Sequence, residues 1–213
     1  MAITQYYFWK PKVLGDCGQG QGRQLIFAFI GDTMNSPINL NLTERYIMRL
    51  ETDRLYIRNL TETDWREMKN IFVDFHNSKY SVYDLPFPTD DEGAKELTKG
   101  FAVNNLFFAV FLKESSDMIG YVCFHKDGDI YDLGYCFHSA YHSKGYAYES
   151  TRALVEYFAT ENSATCFTAG TALDNTPSCR LLEKLGFLCV STETVSFNGE
   201  FSFQGGNFVL NVK

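Results

Sequence analysis

The chain is short of nearly everything that would mark a membrane, secreted, metal-holding or nucleic-acid-binding protein. Its longest apolar stretch near the start, "LIFAFI", falls far below the roughly 20 residues that cross a bilayer. No basic segment precedes that stretch and no small-residue cleavage site follows it, so a secretory leader is not expected either. The expectation is a cytoplasmic protein with no membrane partner. Basic charge is scarce: 19 Lys and Arg stand against 26 Asp and Glu, a formal net charge of −7. That balance argues against a nucleic-acid partner and suits a cationic substrate. Metal-ligand sets are missing as well. None of the six cysteines forms a C-x-x-C pair, and several lie in apolar runs such as "YVCF" and "GYCF". They read as buried thiols in a reducing compartment. His138 and His142 stand four apart without an acidic or thiol partner, too little for a metal. The early "GDCGQGQGRQ" holds glycines but neither G-x-G-x-x-G nor G-K-[ST]. A strand-like "QLIFAFI" follows it where a helix would be needed, so no nucleotide loop is expected there.

What is present is a core and a regular text. Hydrophobic residues make up 45 % of the 213 and aromatics 16 %, enough for one domain with a sizeable interior. "RLYIRNL" (54–60) predicts a strand. "TETDWREMKNIFVDF" predicts a helix capped by Thr61 or Thr63, with Trp65, Met68, Ile71, Phe72 and Phe75 on one face. A proline-broken loop, "YDLPFPTDDEG", leads to a second helix over Asp91 to Val103. Three strands follow at 106–112, 118–124 and 130–137, joined by the hairpin connections "KESSD" and "HKDGD". Then come a helix after Gly145, a strand at 165–171 and a helix with Pro177 at its first position and Gly186 as its stop. Two strands around "NGE" complete the order β-α-α-β-β-β-α-β-α-β-β. The hairpins are antiparallel, whereas the strand–helix–strand crossover must run parallel. The expected fold is therefore α/β in the α+β sense: a mixed, mostly antiparallel central sheet flanked by helices, with one parallel β-α-β crossover. A helix N-terminus follows the carboxyl end of a central strand, where ligands of open sheets gather.

That helix is entered through Ser143-Lys144-Gly145-Tyr146-Ala147, a small, basic segment without an acidic residue. Ala147, Thr151, Leu154 and Phe158 recur behind it at helical spacing. Its unpaired N–H groups and partial positive charge make the helix start a potential anion site. Three stretches give this a family context: "MRLETDRLYIRNLTETDW", "IYDLGYCFHSAYHSKGYAYES" and "ALDNTPSCRLLEKLGF". From Met48 to the C-terminus the chain resembles the GCN5-related N-acetyltransferases (GNAT), and within them the RimJ/RimL-like branch. The second and third stretches, at this spacing, carry most of that resemblance.

The resemblance implies an acetyl-CoA-dependent N-acetyltransferase acting on a primary amine, with no metal. The amine would belong to a protein N-terminus or a small cation, and the enzyme would be a monomer or homodimer. A catalytically idle acyl-CoA-binding module on the same fold is the alternative. The anion at the loop becomes the coenzyme A pyrophosphate, cradled from His142 through Ser143, Lys144, Gly145, Tyr146 and Ala147. His142 stands where the family has Gln or Arg. Asp132 in "YDLGY", where Glu is usual, would be the base, acting through water. Backbone N–H groups from about Tyr135 through Cys136 to Phe137 would hold the thioester oxygen. The Tyr that many relatives use on the last motif's helix is replaced by Leu182. Ser178 of N-x-x-S would orient water or bond the thiol, Asn175 would contact the pantetheine arm, and Arg180 would reach the phosphates. Tyr80, Tyr83 and Phe87, with Asp84, Asp90 and Asp91, fall in the substrate loop and would receive a cationic amine. Residues 1–47 have no counterpart. They are expected to be an extension of unknown role, dispensable if Met48 is the functional start, and 48–213 form the GNAT-like domain.

Overall fold

The computed structural model describes residues 48–197 and 201–212. The 1–47 extension, its strand reading and Cys17, and the "NGE" turn at 198–200, lie outside the described residues. An eight-stranded sheet runs in the order β1-β2-β3-β4-β5-β6-β8-β7. Its strands are β1 (Arg49–Glu51), β2 (Leu55–Asn59), β3 (Phe107–Leu112), β4 (Met118–Asp127), β5 (Ile130–Phe137), β6 (Cys166–Ala172), β7 (Leu188–Phe197) and β8 (Phe201–Asn211). Every neighbouring pair is antiparallel except β5 and β6. The expected mixed sheet with one parallel crossover is the sheet observed. Strand β1 and three single-turn 3-10 helices, Glu62–Asp64, Ser81–Tyr83 and Ser139–Tyr141, are additional. They are too short to leave a periodic signature.

Among the described residues four helices cover the two faces: α1 (Trp65–His76), α2 (Asp91–Val103), α3 (Tyr146–Glu161) and α4 (Thr176–Lys184). Met68, Ile71, Phe72 and Phe75 of α1 are buried, as their spacing predicts. Trp65 is only half-buried, with the cations of Arg66 and Lys95 over its ring. Thr61 opens the 3-10 turn rather than α1 itself, whose N-cap is Asp64. Pro177 occupies the second helical position of α4, because Thr176 is the first and Asn175 the cap.

The alternation of β5 divides its side chains between two cores. Tyr131, Leu133, Tyr135 and Phe137 enter the larger core with Leu154 and Phe158 of α3 and Leu181 and Leu182 of α4. Cys136 joins Met68, Phe72 and Phe101 of α1 and α2 on the other side. Each buried Phe or Leu contributes about 1.5–3 kcal/mol, so both faces of β5 are held rigidly. Among the described residues no helix is long and apolar enough to cross a membrane.

Candidate active site

Strands β5 and β6 pair over only three positions, Ile130–Cys166, Tyr131–Phe167 and Asp132–Thr168. Beyond Asp132 they part, and the carboxyl-terminal halves of both strands flank a gap in the sheet. The backbone polarity of that gap follows from the neighbouring ladder. His138 N–H bonds Ile119 C=O at 3.0 Å, which makes Cys136–Tyr121 a hydrogen-bonded pair of the β4–β5 register. Tyr135 and Phe137 therefore turn their N–H and C=O groups away from β4, toward the side from which β6 has withdrawn. Cys136, on the opposite phase, turns its N–H to β4.

The gap opens toward the start of α3. Gly145 is the N-cap residue, in the left-handed region at φ 83°, and among the described residues no side chain caps this helix. Ser143 is also left-handed at φ 61°. A Cβ on Gly145 would come no closer than 3.4 Å to any neighbour, the Arg54 guanidinium. The glycine is thus required by its φ, not by crowding in this state. Ser143, Lys144 and Gly145 are exposed, so the N–H groups of the first turn face outward. An uncapped helix start behind two left-handed residues is the geometry of an anion-binding concavity.

A clamp that sequence reasoning missed holds this loop. Arg54, in the β1–β2 turn, donates to the Lys144 carbonyl at 3.0 Å and to Glu149 at 2.7 Å, and its guanidinium lies 4.6 Å from the Tyr146 ring centre. Glu149 also accepts from the Thr52 hydroxyl at 2.6 Å and from Arg54 N–H. Burial acts to raise the Glu149 pKa, but these donors outweigh it and hold the carboxyl below its ordinary range. Only the reach of nearly a hundred residues from Arg54 to Glu149 hides the pair from a linear reading.

His142 is half-buried, and its Nε2 lies 2.6 Å from the Phe137 carbonyl oxygen. The carbonyl accepts, so that nitrogen carries a proton. Burial is the leading cause of a lowered pKa there, opposed by this bond. The residue at the head of the loop therefore ties the loop to the end of β5. Asn175 is buried, accepts from Ser178 N–H at 3.4 Å and donates to Thr171. Arg180 is exposed.

Asp132 stands at the apex of the gap on the α1–α2 side, its carboxylate accepting from the buried Thr168 hydroxyl at 2.7 Å. Ser178 lies on the opposite, α3–α4 side, with no exposed surface, and its hydroxyl is 2.7 Å from that of Tyr135. The two residues read as catalytic are therefore not adjacent; they approach the gap from its two faces. A tyrosine hydroxyl is present after all, supplied by β5 instead of by the α4 position of Leu182. The strand alternation of "YDLGY", which sends Asp132 and Tyr135 to opposite faces, was the available signal.

The substrate-loop residues separate. Phe87 is buried, stacked on Phe72 at 4.8 Å and edge-on to Phe75 at 5.7 Å, so it anchors the loop in the core. Tyr83 packs edge-on to Phe203 of β8 at 5.1 Å, and Tyr80 is half-buried against the α1–α2 core. Asp90 caps α2 through Gly93 N–H and Asp91 pairs with Lys69, so both have local partners. Tyr80, Cys136, Phe137 and His142 line a cavity of about 180 Å³ at the end of β5.

Comparison with known proteins agrees with this architecture. The acetyltransferase (GNAT) domain family matches residues 54–188. A Bacillus subtilis (strain 168) protein described as an uncharacterized N-acetyltransferase, YnaD, is 30 % identical over 141 residues, covering 65 % of this chain and 82 % of its own. The crystal structure of a GNAT-family acetyltransferase from Bacillus anthracis superposes with a TM-score of 0.69 at 24 % identity, over 77 % of this chain and 98 % of that one. A RimL ribosomal L7/L12 alpha-N-protein acetyltransferase in complex with coenzyme A gives 0.67 at 15 %, over 78 % and 98 %. With the family matched across more than half its length and the split β5–β6 sheet in place, this chain belongs to the GNAT family and is an N-acetyltransferase.

Proposed function

We propose that the protein transfers an acetyl group from acetyl-CoA to a primary amine, with the coenzyme lying along the gap between β5 and β6. One observation carries this most directly: the strands part at Asp132–Thr168 and the gap leads to an uncapped, glycine-led helix start. The residues present fit the cofactor. The N–H groups from Ser143 to Ala147 suit a pyrophosphate, and Lys144 adds a point charge. Acetyl-CoA supplies the activated acyl group; the chain supplies orientation and proton handling. The N–H groups of Tyr135 and Phe137, on the gap side, are placed to polarise a carbonyl oxygen. Asp132, oriented by Thr168, draws the proton from the amine through water on the α1–α2 side. From the other face the Tyr135–Ser178 hydroxyl pair hands a proton toward the leaving sulfur. A titrating lysine-like ammonium near 10 or an α-ammonium near 8 sets how hard the base must work.

The experiment is calorimetric titration of the full chain with acetyl-CoA, with ATP and NADH as controls, followed by transfer assays over a panel of amines. Binding of acetyl-CoA alone, weakened in a folded Gly145→Glu variant, supports the cradle; no heat and no thermal shift removes it. Tight binding with no turnover on any amine would favour the idle-module alternative. Loss of turnover in Asp132→Asn with binding intact would count against it.

A further inference from the structure

One buried carboxyl has no structural employment. Asp84 follows the 3-10 turn Ser81–Tyr83 in the loop between α1 and α2. Its Oδ1 accepts from the N–H of its own neighbour Leu85 at 2.7 Å, while Oδ2 is buried with no hydrogen-bond partner among the described residues. The residue as a whole is half-buried, and its Oδ2 is fully buried. Among the described residues neither oxygen meets a cation: burial raises its pKa, opposed by the Leu85 bond. Folded proteins seldom keep a stranded carboxyl, because an uncompensated buried charge costs several kcal/mol.

Its surroundings say what would employ it. Tyr83, one residue earlier, packs against the small cluster of Ala172 of β6, Val195 of β7 and Phe203 of β8 and feels the charge of Asp174. Asp84 itself is within electrostatic reach of Cys136 on β5. The Tyr83–Asp84 segment therefore crosses above the place where β5 and β6 part, on the face that also carries Asp132. By strand alternation and register, Gly134 of β5, Gly170 of β6 and Gly205 of β8 share that face. On the same face Asn207 of β8 donates to Ser191 and Glu193, while its Oδ1 is a second buried acceptor with no partner among the described residues. A buried, unmet carboxyl oxygen in a loop facing these glycines calls for a compact donor. The cavity lined by Tyr80 and Cys136 adjoins this face at the end of β5.

We propose that Asp84 is the specificity residue that receives the substrate's positively charged primary amine, its Oδ2 accepting an N–H of the ammonium above the β5–β6 gap. The inference rests on the acetyltransferase reading for its location, but its test does not. A neutral acceptor would meet the hydrogen bond but leave the charge uncompensated and an anionic one would repel it, whereas an ammonium satisfies both hydrogen bond and charge. A small amine and a peptide N-terminus share this chemistry.

The test uses the full chain, wild type and Asp84→Asn, with the Asp84 carboxyl followed by carbon-13 NMR with and without coenzyme A. The probes are n-butylammonium chloride, a seryl tripeptide amide with a free N-terminus, and n-butanol as the uncharged control. An ammonium probe is expected to lower the Asp84 titration midpoint by about one pH unit or more, and butanol to leave it in place. Asp84→Asn is expected to bind the same probe at least about tenfold more weakly with unchanged acetyl-CoA affinity. A response to butylammonium alone assigns a small amine, and a response to the peptide alone assigns a protein N-terminus. If neither ammonium moves the Asp84 signal, or the variant binds them as well as wild type, the proposal is overturned. Failure of acetyl-CoA to bind would instead remove the acetyltransferase reading and leave the ammonium result to be judged separately.

Discussion

At the scale of single residues, the site depends on groups with only one workable conformation. Gly145 at φ 83° has room for a Cβ but not the backbone preference for one. Gly145→Ala should cost about 1 kcal/mol of stability from the left-handed strain alone. It should also weaken acetyl-CoA binding, since relaxing φ rotates the outward N–H groups; denaturant melts and calorimetry on the same sample separate the two effects. Tyr135 makes a different case. It has no exposed surface, and its hydroxyl meets that of Ser178, itself fully buried. Tyr135→Phe keeps the ring in the core and leaves the serine hydroxyl short of a partner, a penalty of about 1–3 kcal/mol. If the pair passes a proton to the leaving sulfur, kcat should fall while the acetyl-CoA Kd stays within about twofold. An equal loss in both would reduce the pair to packing.

At the scale of elements, the loop before α3 is held from a distance by the turn between β1 and β2. Arg54 ties the Lys144 carbonyl to Glu149, and Thr52 completes the set. Half of the arginine side chain is in solvent, so the ion pair itself contributes modestly. Its larger effect is on loop order: Arg54→Ala should raise the acetyl-CoA Kd roughly three- to tenfold with little change in amine KM. Parallel calorimetry and steady-state kinetics would show it, and a Kd equal to wild type would demote the clamp to decoration.

The same elements show how far the sequence could be read. Strand β5 and helix α2 were legible to the residue, because an apolar run between turn residues and an Asp cap are local signals. So was the entry to α3, since Gly145 marks it. The parting of β5 and β6 was not, because it is a property of two strands joined only through α3 and leaves no trace in either. Phe87 looked like a site aromatic and is a core plug; an aromatic in a loop carries no period to tell the two apart. The Tyr135–Ser178 contact and the Asp132–Thr168 bond were hidden for the same reason as Arg54–Glu149: each joins residues far apart in the chain.

At the scale of the whole molecule, two buried carboxyls set opposing pH limits on stability. In Asp64, burial by itself would raise the pKa, but the bidentate Arg58 guanidinium at 2.6 and 2.7 Å and the Thr61 donors prevail and hold it lowered. Its contribution is present above the ordinary carboxyl range and is lost as pH falls through the lowered value. Asp84 has the opposite sign. Burial raises it from 3.8 to about 7, so the folded chain binds a proton that the unfolded chain has released. The stability tied to that proton is complete below about 3.8, declines as pH rises, and is gone above about 7. Three pH units would amount to at most about 4 kcal/mol, and relaxation around the carboxyl should reduce the observed figure to about 2. Asp84→Asn keeps the shape and removes the charge. Denaturant unfolding at pH 4, 6 and 8 should therefore show the variant close to wild type at pH 4 and more stable by about 2 kcal/mol at pH 8. A more stable protein that handles its amine worse is the mark of a residue retained for function at a cost in stability. Parallel pH profiles for the two proteins would mean that the carboxyl is solvated in solution and bears neither the cost nor the role.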